Sequence, residues 1–530
     1  MIELKDVTFL YPGGKRPALR GVSWTAGPGQ FVLVVGPSGS GKSTLLRTLD
    51  GLVPHFSGGS ITGLVSVAGH DPIAEGPHAM SRVVGLVQQD PEAQFVVDTV
   101  EDELAFAMEN QGLPQPVMRK RVEEVLDQLA IAHLRQRRIT SLSAGEKQRV
   151  AIGAVLTLQP KVLVLDEPTS QLDPQSAEEV LTALRHLNED LGLTVVLSEH
   201  RLERVVQYAD QLVYLPAPGE PPCIGDPRRV LPHMPFAPPL VKLARALGWE
   251  PLPLTIKEAR PMAAMLQLKP ADRREHEAGA AVSVEAHDLW FEYDGIAALA
   301  GFSMQAARGQ VIALMGRNGS GKTTVLKHLA GLLRPRRGSV VVDGLDTRSS
   351  PTDDVLQRVG YVPQDPSALL FADTVRQELE FTRHARGLPA VDIGYWLDAL
   401  DLAGLGDRYP RELSVGQRQR VALAAILVAE APILLLDEPT RGLDPNEKEW
   451  LAEFLRSLSN SGRTVIMATH DVELAASCSH RVVIMGAGQV VVDGPAREVM
   501  SHSLVFATQM NKLFGDPRLL TVRDVLEALP

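Results

Sequence analysis

The sequence predicts two tandem α/β domains, each built on a mostly parallel β-sheet with a helical insertion. Three observations carry this prediction. The chain of 530 residues repeats itself in order and spacing, short apolar runs alternate with helical patterns in each repeat, and each repeat places a glycine-rich loop between a strand and a helix. A chain of this length also exceeds one ordinary core, so two or more domains are expected.

The repeat is clearest in segments that carry polar residues at fixed places. VVGLVQQDP corresponds to RVGYVPQDP, SLSAGEKQRVAIGAVL to ELSVGQRQRVALAAIL, and VLVLDEPTSQLDP to ILLLDEPTRGLDP. We therefore predict a first domain with its C-terminal tail at residues 1–266 and a second, also with its tail, at residues 285–530. Residues 267–284 are charged and rich in alanine and glycine without periodicity, which is typical of a linker.

Composition limits the classes of function. The formal net charge is −11, which argues against nucleic acid as the main partner, because a phosphate backbone favours a basic surface. Cys223 and Cys478 lie in different repeats without metal-ligand spacing, so we expect no disulfide framework and a reducing, cytosolic setting. The N-terminus shows no signal pattern, and no window approaches the ~18–20 apolar residues of a membrane span. Any membrane role is therefore expected to come through partners.

The predicted strands are short apolar runs. They are QFVLVVG, KVLVLDEP and LTVVLSEH in the first repeat, and QVIALMG, PILLLDEP and RTVIMATH in the second. Such runs indicate strands that are buried on both faces of a parallel sheet. Residues 92–140 and 367–411 carry longer amphipathic patterns, so we predict a helical insertion in each repeat.

A G-x-x-x-x-G-K-[ST] loop follows the first of these strands in each repeat: GPSGSGKST at 36–44 and GRNGSGKTT at 316–324. Backbone N–H groups of such a P-loop wrap a phosphate chain, and the helix dipole adds positive potential. A chance glycine-rich turn is the alternative, and two full copies in the same context argue against it. The predicted nucleotide-binding residues are Gly36, Ser38, Gly39, Gly41, Lys42, Ser43, Thr44, Gly316, Asn318, Gly319, Gly321, Lys322, Thr323 and Thr324, of which Ser43 and Thr323 would also bind Mg²⁺.

A later strand of each repeat ends in Asp-Glu, at Asp166-Glu167 and at Asp437-Glu438. Phosphoryl transfer to water needs one carboxylate that positions a metal ion and another that orients the water. We predict the metal role for Asp166 and Asp437, and the catalytic role for Glu167 and Glu438. Acids of an ordinary strand-end turn are the alternative, which is common for one pair but not for two pairs that each follow a P-loop.

The segments LSAGE and LSVGQ predict helix starts with capping boxes, formed by Ser143 with Glu146 and by Ser414 with Gln417. The free N–H groups at such a helix start make a second anion-binding surface, in addition to the P-loop of the same repeat. One repeat does not need two such surfaces. We therefore expect each to serve the nucleotide of the other repeat.

Together these motifs resemble those of an ABC-type ATPase domain, and the resemblance covers each repeat almost entirely. It implies two P-loop NTPase domains of ABC type that form an intramolecular head-to-tail dimer and hold two ATPs. Each ATP would lie between the P-loop of one repeat and the signature of the other. The signatures are Ser143–Gly145 and Ser414–Gly416. Gly36–Thr44 would thus pair with Ser414–Gly416, and Gly316–Thr324 with Ser143–Gly145.

The resemblance also implies roles for residues that carry little signal alone. A lone aromatic residue often only packs against its neighbours, and a lone histidine is often capped or solvated. These roles are therefore supported only by the places of the residues beside the stronger motifs. Tyr11 and Tyr293 would stack on adenine, Gln89 and Gln364 would bind Mg²⁺ and sense the γ-phosphate, His200 and His470 would act catalytically at the γ-phosphate, and Asp173 and Asp444 would bridge the two sites. Departures from the family pattern, such as Ala144 and Val415 in place of glycine, remove no catalytic group, so we expect two competent sites.

Three classes of ABC protein lack membrane spans. The translation-associated class is expected to have a long basic linker and an NHLD-like turn, whereas this chain has SQLDP, RGLDP and a short linker. The DNA-repair class is expected to have cysteine clusters or a long coiled coil. The fused ATPase of an importer fits best. A sugar or peptide importer stays open as the alternative within this class, and a soluble translation-associated ABC ATPase stays open as a less favoured one.

Two stretches, QQDPEAQFVVDTVEDELAF and PQDPSALLFADTVRQELEF, resemble the energy-coupling factor transporters of vitamin, micronutrient or metal-ion uptake. That resemblance implies a transmembrane scaffold subunit and a membrane substrate-binding subunit as partners, and a place on the cytoplasmic face of the membrane. The docking groove would combine apolar residues with acids, namely Phe95, Phe371, Asp98, Glu101, Asp102 and Glu103. A solvated acidic first turn, favoured by the helix dipole, is the alternative.

Overall fold

The structure is a computed structural model that divides into two compact units, Met1–Thr255 and Ile256–Pro530, which are described one by one. Part of the predicted linker, residues 272–280, lies outside the described residues. The structure describes residues 1–271, 281–388, 392–501 and 503–530.

The first unit contains nine strands and ten α-helices among its described residues. Its strands are β1 Ile2–Leu10, β2 Leu19–Ala26, β3 Phe31–Val35, β4 Ser60–Val67, β5 Val84–Val87, β6 Val162–Asp166, β7 Thr194–Ser198, β8 Gln211–Tyr214 and β9 Cys223–Gly225. Its helices are α1 Lys42–Leu49, α2 Leu52–His55, α3 Pro72–Met80, α4 Val100–Asn110, α5 Gln115–Gln128, α6 Ala144–Leu156, α7 Pro174–Glu189, α8 Leu202–Val205, α9 Pro227–Val230 and α10 Pro239–Ala246.

The second unit repeats this order. Its strands are β10 Val282–Tyr293, β11 Ile296–Ala307, β12 Val311–Gly316, β13 Arg337–Val342, β14 Leu345–Asp346, β15 Val359–Val362, β16 Ile433–Asp437, β17 Thr464–Ala468, β18 Arg481–Gly486 and β19 Gln489–Pro495. Its helices are α11 Ile256–Ala263, α12 Lys322–Leu329, α13 Thr352–Arg358, α14 Val375–Ala385, α15 Ile393–Ala399, α16 Val415–Leu427, α17 Pro445–Asn460, α18 Val472–Cys478, α19 Ala496–Ser501, α20 Gln509–Phe514 and α21 Val522–Glu527.

The central sheet of each unit is mostly parallel, as predicted. Its strand order is β5-β6-β7-β3-β8-β9 in the first unit and β15-β16-β17-β12-β18-β19 in the second, and only the last pair of each is antiparallel. Every residue of β3, β6 and β7 is buried, because helices cover one face and helix α1 with the antiparallel sheet covers the other. The P-loop strand β3 therefore lies beside β7, and β7 lies beside β6, which ends in Asp166.

Each unit also has a separate antiparallel sheet, which the sequence analysis did not predict. The strand orders are β2-β1-β4 and β11-β10-β13-β14. Alternate residues of β2 are buried, and Phe9 and Phe302 are among the largest fully buried side chains. The alternation fits a sheet with one face on the core, and the strands were missed because bulges shift the register of each pairing.

The predicted helical insertions are present as α4 and α5 in the first unit and as α14 and α15 in the second. In each case the first insertion helix packs against the helix that follows the signature, α6 or α16. The contacts are apolar: Leu104 and Leu129, for example, lie so near Gly153 of α6 that a side chain there would touch them. The insertion thereby holds the signature helix in place.

The tail of the first repeat ends in α11, which belongs to the second unit. Helix α11 packs against α20, and the backbone N–H of Lys269 donates to the carbonyl of Ala528 over 2.8 Å. The guanidinium of Arg518 donates to the carbonyl of Pro270. The chain from Ile256 to Pro270 is therefore packed on the C-terminal tail.

No helix in the described ranges combines the length and apolar character that crossing a bilayer requires. The cores follow the sheets instead. In each unit one apolar cluster lies between the central sheet and the insertion, and a second lies between the central sheet and the antiparallel sheet.

Asp50 at the end of the P-loop helix α1 gives a test of the fold. Burial raises the pKa of its carboxyl from 3.8 to about 7, against a hydrogen bond from the N–H of Leu52 and the charge of Arg47. A folded-state pKa above the unfolded one gives stability that is complete below about pH 3.8 and is lost as the pH rises through about 7.

We therefore expect Asp50→Asn to stabilise the first unit relative to the parent by up to about 3 kcal/mol more at pH 8 than at pH 5. Hydrogen exchange of peptides from α1 at the two pH values measures this difference. An equal difference at both would show that Asp50 does not titrate in this range.

Candidate active site

Both P-loops join a buried strand to a helix, in the arrangement that the sequence predicts. Helices α1 and α12 begin at Lys42 and Lys322, directly after Gly41 and Gly321. These two glycines have φ values of 104° and 101°, and a Cβ at Gly41 would lie 2.7 Å from the carbonyl oxygen of Ala18. Only glycine fits both the left-handed backbone and this close approach, so the loop shape depends on it.

The P-loop lysines are buried against their own loops. Nζ of Lys42 donates to the carbonyls of Gly36 and Pro37 over 2.9 and 3.1 Å, and Nζ of Lys322 donates to the equivalent carbonyls of Gly316 and Arg317 over 2.8 and 2.9 Å. The lysine amino group and the N–H groups of the loop both favour an anion at this place. Each loop is therefore a preformed site for an anion.

The predicted metal residues meet a hydroxyl at the same sheet edge. In the second unit, Oγ1 of Thr323 donates to Oδ1 of Asp437 over 3.1 Å. Burial raises the pKa of Asp437, and the neighbouring Glu438 raises it further, while the Thr323 hydrogen bond lowers it. A cation beside Asp437 would offset this cost of burying its charge.

A hydroxyl with one carboxylate fits Mg²⁺, which keeps most of its ligands as water or phosphate oxygen. Among the described residues, no group of three or more His, Cys, Asp or Glu side chains is placed to hold a metal ion. The residues fit an ion that arrives with phosphate.

The predicted catalytic glutamates lie against the predicted histidines. Nε2 of His200 is 2.7 Å from Oε1 of Glu167, and Nδ1 of His470 is 2.6 Å from Oε2 of Glu438. All four side chains are almost fully buried. Nε2 of Gln89 also donates to Oε2 of Glu167 over 2.7 Å, so the structure brings three predicted residues together in the first unit.

Both glutamates have unusual backbone geometry. Glu167 and Glu438 each have φ of 48°, a left-handed backbone conformation that residues other than glycine seldom adopt. Such a conformation costs about 1–3 kcal/mol and persists only where the surroundings fix it. Here the N–H of Glu438 donates to the carbonyl of Ala468 over 2.8 Å, and the N–H of Glu167 donates to Oγ of Ser198 over 2.9 Å.

The signature segments begin helices with capping boxes, as predicted. The N–H of Glu146 donates to Oγ of Ser143 and the N–H of Ser143 donates to Oε2 of Glu146, and Ser414 with Gln417 repeats the pattern. Gly145 and Gly416 follow in the first turns and are buried. Each unit thus has a capped helix start as a second anion-binding surface.

The other predicted residues take the following places. Asp173 and Asp444 cap α7 and α17 through their side chains. Oη of Tyr11 lies 3.0 Å from Oγ1 of Thr44 in the P-loop, with its ring edge-on to Phe9. Tyr293 is likewise edge-on to Phe291 and partly exposed, Gln364 lies exposed after β15, and Ser38, Gly39, Asn318 and Gly319 form the outer part of the P-loops.

Several residues at this edge were not predicted. Oγ of Ser198 donates to Oδ1 of Asp166 over 2.6 Å, and Oη of Tyr361 donates to Oδ2 of Asp437 over 3.3 Å. Glu199 is buried and accepts the hydroxyl of Thr169 over 2.6 Å. One sequence signal could have revealed Ser198 and Glu199. The first repeat has Ser-Glu before His200 where the second has Ala-Thr before His470, so two polar side chains stand at the end of the strand.

The P-loops, the signatures and the Asp-Glu pairs lie within the segments that match a known family. The sequence pattern of the ABC transporter family matches residues 19–170 and 299–441. The chain belongs to the ABC transporter family. It is therefore an ATP-hydrolysing enzyme of the ABC type, with two ABC domains of the P-loop NTPase fold, as predicted.

Full-length relatives support this assignment. A Streptomyces avermitilis chain with the provisional name ABC transporter ATP-binding protein is 48% identical, with 100% of each chain covered. A Methanosarcina acetivorans chain with the same provisional name is 38% identical, covering 99% of this chain and 93% of its own. The archaeal ribosome recycling factor aABCE1, solved with the stalk protein aP1, matches with a TM-score of 0.60 at 24% identity over 94% of this chain and 91% of that one, which shows a shared fold alone.

The segment after each glutamine of this ABC ATPase is held by a buried acid. Oε2 of Glu103 accepts the N–H groups of Val96 and Val97 over 3.0 Å, and Oε2 of Glu378 accepts those of Phe371 and Ala372 over 2.8 Å. The prediction that Glu103 is a docking acid is therefore wrong, because its carboxylate is buried and already satisfies two backbone donors.

We expect Glu378→Ala to release this segment of the ABC ATPase, because two backbone N–H groups would lose their acceptor at about 1–3 kcal/mol. Hydrogen exchange of a peptide that contains Phe371 and Ala372 measures the loss of protection. Gln377→Ala, which removes an exposed side chain from the same helix, is the matched control. Equal exchange in both variants would contradict the structural role of Glu378.

Proposed function

We propose that the chain is the ATP-hydrolysing, energy-coupling subunit of a membrane importer of the energy-coupling factor type. The importer would take up a vitamin, another micronutrient or a metal ion. The observation that carries the ATPase part is the buried glutamate–histidine pair at 2.7 and 2.6 Å, beside a preformed P-loop in each unit.

The roles of the site residues follow from their chemistry. Lys42 and Lys322 would neutralise the β- and γ-phosphates, and Tyr11 and Tyr293 would stack on adenine. Ser43 and Asp166, and Thr323 and Asp437, would hold Mg²⁺, with Gln89 and Gln364 beside them. When bound, Mg²⁺ supplies positive charge to the phosphate oxygens.

Glu167 and Glu438 would orient the attacking water. The water oxygen forms a bond to the γ-phosphorus while the bond to the bridging oxygen of ADP breaks, and the glutamate accepts the hydrogen bond of the water. His200 and His470 hold the glutamates in place and would contact the γ-phosphate. Because these groups are buried, their charges act in a lower dielectric than in water.

We further propose that each ATP is completed by the signature of the other unit. A capped helix start offers N–H groups to an anion, and within one unit the P-loop already supplies such groups. Ser414–Gly416 would complete the ATP at Lys42, and Ser143–Gly145 the ATP at Lys322. Asp173 and Asp444 would connect the two sites. Fusion in one chain keeps the effective concentration of one unit for the other at roughly millimolar.

The importer part of the proposal rests on exposed apolar side chains beside Gln89 and Gln364. Val96 is 62% exposed and Phe371, at the equivalent place, is 70% exposed. Asp98 and Asp373 lie exposed two residues further on in each unit. Phe95 packs on the core, so we propose Val96 in its place as the docking residue of the first unit.

The other two acids predicted for the docking groove already bind neighbouring side chains of the first unit. Asp102 accepts the hydroxyl of Thr99 over 2.5 Å, and Glu101 accepts the amide of Gln136 and faces Arg135. Each unit thus has one exposed apolar side chain with an acid nearby. Two such surfaces fit a membrane scaffold that docks two helices, one on each unit. The chain would then lie peripherally at the cytoplasmic face of the membrane, and a separate membrane subunit would bind the transported molecule.

We expect the double variant Glu167→Gln with Glu438→Gln to keep ATP binding and to lose hydrolysis by at least about 100-fold, because the amide is a poor acceptor for the water. Bound nucleotide after gel filtration and phosphate release measure the two properties. Hydrolysis at the parent rate would refute the assignment of the catalytic glutamates.

We expect Phe371→Asp to reduce co-purification with the scaffold subunit about tenfold or more, because a charge replaces an apolar anchor. Phe56→Asp changes a side chain that is also exposed but lies outside the segments that follow Gln89 and Gln364, so it serves as the control. Thermal unfolding checks that both variants fold. Equal recovery of the scaffold with Phe371→Asp and the parent would count against this docking surface.

A further inference from the structure

The first turn of α17 differs in charge from its counterpart in α7. Both helices are capped by an aspartate, Asp173 or Asp444, and both begin with proline. The next residues are Gln175-Ser176-Ala177 in the first unit and Asn446-Glu447-Lys448 in the second. The second unit thus carries two charged side chains where the first has a hydroxyl and a methyl group.

Glu447 fixes this turn against the signature. Its Oε2 accepts the N–H of Asp444 over 2.9 Å, which completes the capping box of α17. The same carboxylate covers the signature glycine so closely that a Cβ at Gly416 would lie 1.7 Å from Oε1. Ser176 covers Gly145 in the first unit, so the contact is shared and only its chemistry differs.

Lys448 connects the same turn to the catalytic pair. Its Nζ lies 2.9 Å from Oδ2 of Asp471, and both side chains are mostly buried. Asp471 directly follows His470, and its Oδ1 accepts the N–H of Leu474 to cap α18. The Lys448–Asp471 ion pair therefore holds the backbone next to His470. The ring of His470 in turn lies 2.6 Å from the carboxylate of Glu438.

The first unit has no equivalent of this ion pair. Ala177 stands in place of Lys448, and Arg201 stands in place of Asp471. The loop of His200 is held instead by Glu199, which accepts the N–H groups of His200 and Arg201 and the hydroxyl of Thr169. The second unit has Thr469 at that position. The two units therefore fix their histidines by different means.

We propose that Lys448 is a positioning residue for hydrolysis in the second unit, acting through Asp471 on the His470–Glu438 pair. The inference rests on the proposed roles of Glu438 and His470. Because Glu447 and Lys448 are adjacent in the first turn of α17, this turn joins the signature contact to the contact beside the histidine. Misplacement of a catalytic group by about 1 Å is enough for a large loss of rate.

The test uses the full chain with Glu167→Gln, so that hydrolysis reports the second unit. Lys448→Met, which removes the charge and keeps the length, is expected to lower kcat about 10-fold or more while KM for ATP changes less than about threefold. Lys448→Arg is expected to restore the rate, because it keeps the charge. In the Glu438→Gln background the same methionine variant is expected to lower kcat less than about twofold.

Asp471→Asn supplies an independent arm, because asparagine can still cap α18. It is expected to reproduce the effect of Lys448→Met, and the double variant is expected to be no slower than either single one. Additive losses, equal losses in both glutamate backgrounds, a rise in KM alone, or abolition of hydrolysis by Glu167→Gln by itself would each overturn the inference. Continued hydrolysis with both glutamates replaced would instead refute the proposed function and the inference with it.

Discussion

The site of each unit depends on the order of strands in the central sheet. The parallel arrangement brings the ends of β3, β7 and β6 to one edge, and those ends carry the P-loop, the histidine and the Asp-Glu pair in turn. Both faces of the sheet are covered, so the carboxylates at this edge are largely buried and their charges must be held by hydrogen bonds or by a cation. The raised pKa of Asp437 is a direct consequence of this burial.

Much of the site was predictable because its signals are local. The P-loops, the Asp-Glu pairs and the capping boxes are each contained within a few residues, and the structure confirms their local geometry. Among the missed contacts, Glu378 holds the backbone at Phe371 only seven residues away, whereas Ser198 bonds Asp166 and Tyr361 bonds Asp437 across long sequence separations. No periodicity or motif within one segment carries information about such contacts, and burial of Glu103 was hidden by its place in an acidic first turn.

The two units use the same scaffold with different polar supports. The first unit surrounds its histidine with Ser198 and Glu199, whereas the second has Ala468 and Thr469 there and uses the Lys448–Asp471 pair. A buried polar group that loses its partner is costly, which favours the exchange of such groups together with their partners. Both units keep the strained glutamate backbone, which indicates that its position, more than any single neighbour, is the fixed requirement.

The central claim is that a nucleotide held by one P-loop is completed by the signature of the other unit. Photolabelling with azido-ATP, followed by peptide mapping of the two P-loops, tests it most directly in a chain with Ser414→Arg. We expect a loss of labelling at the loop that contains Lys42, with the loop of Lys322 labelled as in the parent. Loss at the loop of Lys322 alone would contradict it, because each unit would then complete its own nucleotide.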